Sequence, residues 1–486
     1  MFNSRFLKLL GAVTIINIFA RLFGFARELT IGYQYGTSYQ ADGIITAFTI
    51  PNFLYVVLGG AITTAFISVY SKLDRTVKHD FVQTLMTFLC LTVGTTTILF
   101  MIFPGFWMKL FFSGMSEDAL TLTTHLFLVT APATLFLVVS MVLSGLHNVH
   151  ENYRYSSFAA LIFNGVYLFI GVSLTPILKE YSYALGATLG ALFMFLLLIY
   201  QIKKQQIVPL RFKIVKHPEL KRLVKLAMPL ILGGATLQFY LIIQRIFAAG
   251  LDDGAIAAIN YASKMTQFPQ GVLMTSVTTI VYPMLAKSAA DGDFQQINQA
   301  YKKGFRMLTL LLIPASIFIF FYAEDVITFI FQYGNFSQES TNVTYPLLQV
   351  FSLSIFSLAL NTYVTRFFYA LERTLLPNIL SIISVFGINI AVISLFIDQW
   401  GAFAIAIGTV VSTIINMLLL ILFAKIKLQL IVCSRAYLVR LLSFVSLVLV
   451  IFWLVSFIDI AAVWLSLLLG GMITLITIAT GLKLVK

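Results

Sequence analysis

Residues 21–55 read RLFGFARELTIGYQYGTSYQADGIITAFTIPNFLY. The stretch is greasy enough to lie in a bilayer, yet it carries four ionisable side chains, Arg21, Arg27, Glu28 and Asp42. A charge at the bilayer centre costs about 2.5–3.5 kcal/mol on insertion scales, so these four need a reason to be there. The surrounding chain sets the context. Of its 486 residues, 59% are hydrophobic and 10% are charged, and the mean hydropathy is +0.95. Soluble domains carry about 25% charged residues. The composition is that of a chain that crosses a membrane many times.

A helical span needs about 20 apolar residues. Working outward from residues 21–55, such runs number fourteen, with approximate cores at 9–27, 43–70, 81–108, 121–146, 156–178, 182–201, 223–249, 255–286, 304–323, 343–371, 376–397, 401–424, 436–457 and 461–482. Arg5 and Lys8 precede the first run, but no small-x-small cleavage site follows it, so it reads as a retained span. Charge tests the count. With both termini cytoplasmic, 25 of the 32 Lys and Arg residues fall on the inner side. Only Arg27, Lys109 and Lys179 fall outside, and Arg21, Arg245, Lys264 and Arg366 lie within spans. Twelve of the 19 acids are on the outer side. One missed span would invert every later loop and erase this asymmetry. The net charge of +13 is therefore topological, and no nucleic-acid partner is expected.

The longest basic loop reads QIKKQQIVPLRFKIVKHPELKR and looks like a hinge between halves. A weak internal repeat supports this. Thr63, Thr64 and Lys72 match Thr278, Thr279 and Lys287; YALGATLG at 183–190 matches GAFAIAIG at 401–408; Glu151 matches Glu372. The expected organisation is an N-lobe at 1–201, a basic linker at 202–222, a C-lobe at 223–426 and two further helices at 427–486. Six spans per repeat is an even number, so the halves should be parallel, two bundles facing a central cavity that suits alternating access.

Three cations belong to this cavity by position: Arg21, Arg27 and Lys264. Arg21 and Arg27 are six residues, roughly 600°, apart on a helix, so they flank one face unless Gly24 lets the helix bend. Snorkelling to an interface is the competing reading for Arg27. Arg245 is expected at an interface, and Glu28 as a solvated interfacial charge. Asp42 is the one internal anion, suited to pairing with an arginine when the cavity is empty or closed. An excess of positive charge in a dry cleft calls for an anionic ligand, and arginine favours phosphate or carboxylate. Pro51 and Pro269 fall inside spans, where proline removes a backbone hydrogen bond. Such breaks are tolerated where they line a cavity, although plain packing kinks fit as well.

Enzyme chemistry has no foothold. There is no GxSxG, HExxH or Walker motif and no paired carboxylate site. Cys90 and Cys433 are isolated, and His147 and His150 read as solvated loop residues.

RLFGFARE, ADGIITAFTIPNFL, QFPQGVL and FQYGNF together resemble the MurJ (MviN) family of lipid II flippases, within the multidrug, oligosaccharidyl-lipid and polysaccharide (MOP) exporter superfamily. The resemblance implies an all-α polytopic fold of fourteen helices, with a V-shaped cationic cavity and two C-terminal helices forming a lipid-tail groove. It implies transport of lipid II from the inner to the outer leaflet of the bacterial cytoplasmic membrane. By motif position, Arg21, Arg27 and Lys264 would bind the pyrophosphate headgroup and Asp42 would gate or pair charge. Members often carry arginine where this chain has Tyr55 and Lys264. No cofactor is expected, and the drive would be the membrane potential or an ion gradient. A monomer in contact with membrane lipids and cell-wall synthesis machinery is expected. The rivals are a flippase for another undecaprenyl-pyrophosphate glycan, a MATE-type drug antiporter and a membrane scaffold without transport.

Overall fold

The computed structural model describes residues 4–209, 211–213, 217–234, 236–431, 435–458, 460 and 462–484. Lys216 of the basic linker, Cys433, Asp459 and Lys486 lie outside the described residues. Two compact units divide the chain, Met1–Ile256 and Ala257–Lys486.

The first unit contains α1 (Ser4–Tyr35), α2 (Tyr39–Ala47), α3 (Thr49–Leu54), α4 (Gly60–Tyr70), α5 (Arg75–Ile102), α6 (Pro104–Phe112), α7 (Glu117–Val149), α8 (Tyr153–Ser173), α9 (Thr175–Leu178), α10 (Tyr181–Lys204), α11 (Pro218–Gly234) and α12 (Thr236–Ala248). A π-turn over Tyr55–Gly59 joins α3 to α4. The second contains α13 (Ala255–Ala290), which begins at the boundary, then α14 (Phe294–Phe321), α15 (Ala323–Phe331), α16 (Gln338–Ser352), α17 (Ser354–Ala370), α18 (Leu375–Ile382), α19 (Ile390–Trp400), α20 (Ala402–Leu428), α21 (Arg435–Val455) and α22 (Val463–Leu484). Each of the fourteen expected spans overlaps one helix or a consecutive set. Among the described residues, nine helices are long and apolar enough to cross a membrane, or eleven if each of two bent pairs is one span. The protein is an all-α polytopic membrane protein, and the count is consistent with fourteen.

Local chemistry explains the helix starts. Ser38 and Ser116 accept hydrogen bonds from the backbone N–H groups of Ala41 and Ala119, and Glu117 and Asp118 fill the first turn of α7, where the helix dipole favours acids. Small residues let helices touch. A Cβ on Gly186 would lie 2.8 Å from the Tyr167 carbonyl and one on Gly190 2.7 Å from that of Phe163, so α8 and α10 pack backbone against backbone. α11 runs along α4, and α12 meets α3, which groups both with the first unit.

The backbone carries the repeat more clearly than the sequence does. Left-handed residues recur at near-constant spacing: Gly36 with Gly254, Glu151 with Glu372, Lys179 with Gly401 and Gln206 with Gln429. Glu151 and Glu372, paired from sequence, both sit in helix-ending turns in which the next residue's N–H returns to the helix, Asn152 to His147 O and Arg373 to Phe368 O. All five non-glycine residues in these pairs carry long polar side chains at an exposed helix end, where a positive φ closes the last turn.

Candidate functional site

Pro51 decides the local geometry. It has no N–H to give the Ala47 carbonyl four residues back. The helix is interrupted at Phe48, between α2 and α3. Thr130 of α7 offers a donor: its Oγ1 lies 3.1 Å from Ala47 O and shares its one hydrogen with Leu126 O at 3.1 Å and Phe127 O at 3.2 Å in its own helix. Thr49 then donates to Ile45 O at 3.1 Å and accepts from Arg245 Nη1 at 2.7 Å. The break therefore carries polar groups among apolar helices, and the Ala47 carbonyl, the Thr49 hydroxyl and the Arg245 guanidinium each find a partner there. Arg245 is drawn inward onto buried Thr49, which corrects the interfacial placement expected from sequence.

One helical face away, Arg27 lies over the Tyr167 ring, 4.3 Å from its centroid, and its Nη2 donates to Glu28 Oε1 at 2.8 Å. Glu28 is only 6% exposed, so it is no solvated interfacial charge. A neighbouring arginine compensates its burial, as a charge out of water requires. Arg245 lies within electrostatic range of Glu28, Arg27 and Tyr167. These side chains form one group with two cations and one anion, built from α1, α8 and α12. Arg21 is exposed and does not share the face of Arg27, as the 600° separation requires. Gly24 sits against Asn164, whose Oδ1 would lie 3.2 Å from a Cβ there, and α1 runs unbroken through it; the glycine serves close packing on α8.

Asp42 is 3% exposed, and its Oδ2 accepts the Gly254 N–H at 2.7 Å. Gly254 has φ +92°, and a Cβ there would overlap the Thr37 carbonyl, so only glycine lets this loop reach the carboxylate. Ser116 Oγ donates to Asp253 Oδ1 at 2.8 Å and steadies the same loop.

Lys264 belongs to the second unit, half-buried on α13. That helix bends by 44° between its segments Ala255–Thr278 and Ile280–Ala290. The bend falls one turn before Pro283, where that proline leaves a carbonyl without its donor, and well beyond Pro269, through which the helix continues. Tyr55 opens the π-turn that follows α3.

Sequence reasoning passed over Tyr167 and Thr49 and misplaced Glu28 and Arg245. Their roles arise from contacts between helices far apart in sequence. The only available signal was the unexplained Arg245 inside a span. His147 is also corrected: it is fully buried, with Nε2 at 3.3 Å from Leu198 O, while His150 remains exposed at the helix end. Among the described residues no cluster of His, Cys, Asp and Glu can hold a metal.

The family model described as "Lipid II flippase MurJ" matches residues 31–476. The Lipid II flippase MurJ of Burkholderia cenocepacia is 26% identical over 387 residues, covering 76% of this chain and 74% of its own. Among solved structures, "Lipid II flippase MurJ, inward closed conformation" aligns over 96% of this chain and 97% of its own, with TM-score 0.85 and 23% identity. An inward-facing multidrug resistance MATE family transporter of the MOP superfamily aligns over 86% of this chain and 98% of its own, with TM-score 0.72 and 13% identity.

Proposed function

This chain belongs to the lipid II flippase MurJ family, and we propose that it moves lipid II across the cytoplasmic membrane of a bacterium, from the inner leaflet to the outer, by alternating access. The observation that carries the reading is the buried group of Arg27, Glu28 and Arg245, which holds more cation than anion in a setting without bulk water. Glu28 neutralises Arg27 in the unloaded protein. A pyrophosphate offers Arg27 a stronger, doubly charged partner, and its arrival would free Glu28 to turn to Arg245, which lies within electrostatic range. Such exchange of partners lets the headgroup bind without leaving an unpaired charge behind.

Arg21 and Lys264 would supply further positive charge to the headgroup, with Asp42 holding the loop at Gly254 while the site is empty. The polyprenyl tail stays in the bilayer, and both termini face the cytoplasm. The protein works as a transporter, not an enzyme, with no resident cofactor. A potential of 100 mV offers about 2.3 kcal/mol for each charge moved, and this potential or an ion gradient resets the cycle. A drug antiporter for cations is disfavoured by the excess of arginine at the buried group.

Native mass spectrometry of the purified protein with competing polyprenyl-linked glycans tests the cargo. Preferential retention of lipid II is expected. Equal or better retention of a polyprenyl pyrophosphate bearing an unrelated sugar would overturn the assignment in favour of another cell-surface glycan.

A further inference from the structure

The segment between α10 and α11 is strapped to α5 by four contacts. Gln83 Nε2 donates to the Pro209 carbonyl at 2.6 Å, the Lys213 N–H donates to Thr87 Oγ1 at 3.0 Å, and Lys213 Nζ reaches Asp80 Oδ1 at 2.6 Å. The His217 ring packs on Phe81 with centroids 5.3 Å apart. These contacts turn one side of the segment inward and leave the other side outward. Arg211 is exposed, and Phe212 is 84% exposed, the largest value among the exposed large hydrophobic residues.

Depth gives this exposure a meaning. Helix α5 ends at Ile102, where Phe103 and Pro104 turn the chain into α6. Twenty residues of helix span about 30 Å, the thickness of the hydrocarbon core. Counted back from Ile102, that thickness ends near residue 82. With Ile102 taken as the outer limit, Thr87 falls on the hydrocarbon side, and the backbone of Lys213 is bonded to it. Phe88, at the same level, is 48% exposed, as are Leu91 and Ile98 further along at 54% and 57%, so α5 shows an apolar flank there. The Lys213 ammonium runs back toward Asp80, in the direction of water, as a snorkelling lysine does. Beyond the segment, α11 opens with exposed Lys221, Arg222 and Lys225.

We propose that Arg211 and Phe212 form an inner-leaflet anchor for an anionic phospholipid, with the Phe212 ring among the acyl chains and the Arg211 guanidinium on the headgroup phosphate. An exposed aromatic ring beside clustered cations is the pattern of interfacial binding to anionic lipid. The anchor would pin the long connection between α10 and α11 at a fixed depth. Its assignment to the inner leaflet rests on the orientation proposed above.

The test uses the full chain with Cys90 and Cys433 replaced by alanine and a nitroxide on Phe212→Cys, in vesicles of phosphatidylcholine with or without phosphatidylglycerol. Collisions with oxygen should exceed those with a water-soluble nickel chelate, as they should for a label on Phe88→Cys. A label equally open to the nickel chelate would overturn the proposal and leave the segment to water or a soluble protein. In native mass spectrometry, Arg211→Ala should lose phosphatidylglycerol retention several-fold while retention of phosphatidylcholine is unchanged. No change in phosphatidylglycerol retention would also overturn it. A deep label reporting from the outer leaflet would refute the orientation while supporting the lipid contact itself.

Discussion

Thr130 Oγ1 lies within donating distance, 3.1 Å, of the carbonyl of Ala47, the acceptor that Pro51 leaves without its helical partner, and shares its hydrogen with carbonyls of its own helix. This one bond joins α7 to the break between α2 and α3, and through Thr49 the same break receives the Arg245 guanidinium. A proline kink here organises a charged site because its freed backbone group is answered by a side chain on a neighbouring helix.

Thr130→Val keeps the shape and removes the donor. Interhelical hydrogen bonds in membranes are worth roughly 0.6 to 2 kcal/mol, so the variant should melt a few degrees lower in detergent, and Thr130→Ser should restore the wild-type value. An unchanged melting temperature for the valine variant would mean the Ala47 carbonyl finds another donor.

Arg27→Ala should abolish rescue of a bacterium depleted of its own lipid II flippase, at normal membrane abundance. Arg27→Lys keeps the charge but loses the planar group stacked on Tyr167, and should rescue partially. Rescue by the alanine variant at wild-type level would remove Arg27 from the headgroup site.

Asp42→Ala removes a charge-assisted hydrogen bond to the Gly254 N–H, a contribution of about 1.5–3 kcal/mol. Asp42→Asn retains an acceptor and should lose less. Gly254→Ala should be as damaging as Asp42→Ala, because its positive φ and the Thr37 carbonyl both oppose a side chain. Comparing the thermal stability of the three variants ranks them.

Lys264→Arg should support growth in the same rescue assay, since the charge is kept and a planar fork is gained. Lys264→Glu should not, because it reverses the sign. Equal growth of the two would show that Lys264 carries no electrostatic role.

His150 supplies a pH signature. Its Nε2 lies 3.0 Å from the Tyr70 hydroxyl, and the partial desolvation of this otherwise exposed ring, then the Lys78 ammonium, hold its pKa below the ordinary value. The unfolded chain binds this proton at about pH 6.5, before the folded protein does. Stability should therefore be level above that value, fall as the pH drops below it, and level off again once the folded pKa is passed. His150→Gln should flatten this part of a melting profile, and Lys78→Met should shrink it by removing the second cause.

The class of the protein and its family were legible in the chain, and each apolar run falls on a helix or a consecutive set of helices. Hydrophobic run length and the sidedness of lysine and arginine are properties of the chain read one residue at a time, and the motifs around Arg21, Arg27 and Asp42 are local strings. The weak sequence repeat at Glu151 and Glu372 became sharp in the backbone, because a left-handed turn depends on conformation and many residues can occupy it at an exposed helix end. Only the tertiary structure decided which charges meet. Glu28 looked solvated because its neighbours in sequence are interfacial, and Arg245 looked peripheral because it stands near a helix end. Glu28 is buried and Arg245 half-buried within electrostatic reach of it, because α1 packs on α8 and α12 meets α3, and away from water a charge settles where a partner is in reach. That reach is fixed by helix packing across intervals of well over a hundred residues, which no local pattern in the chain records.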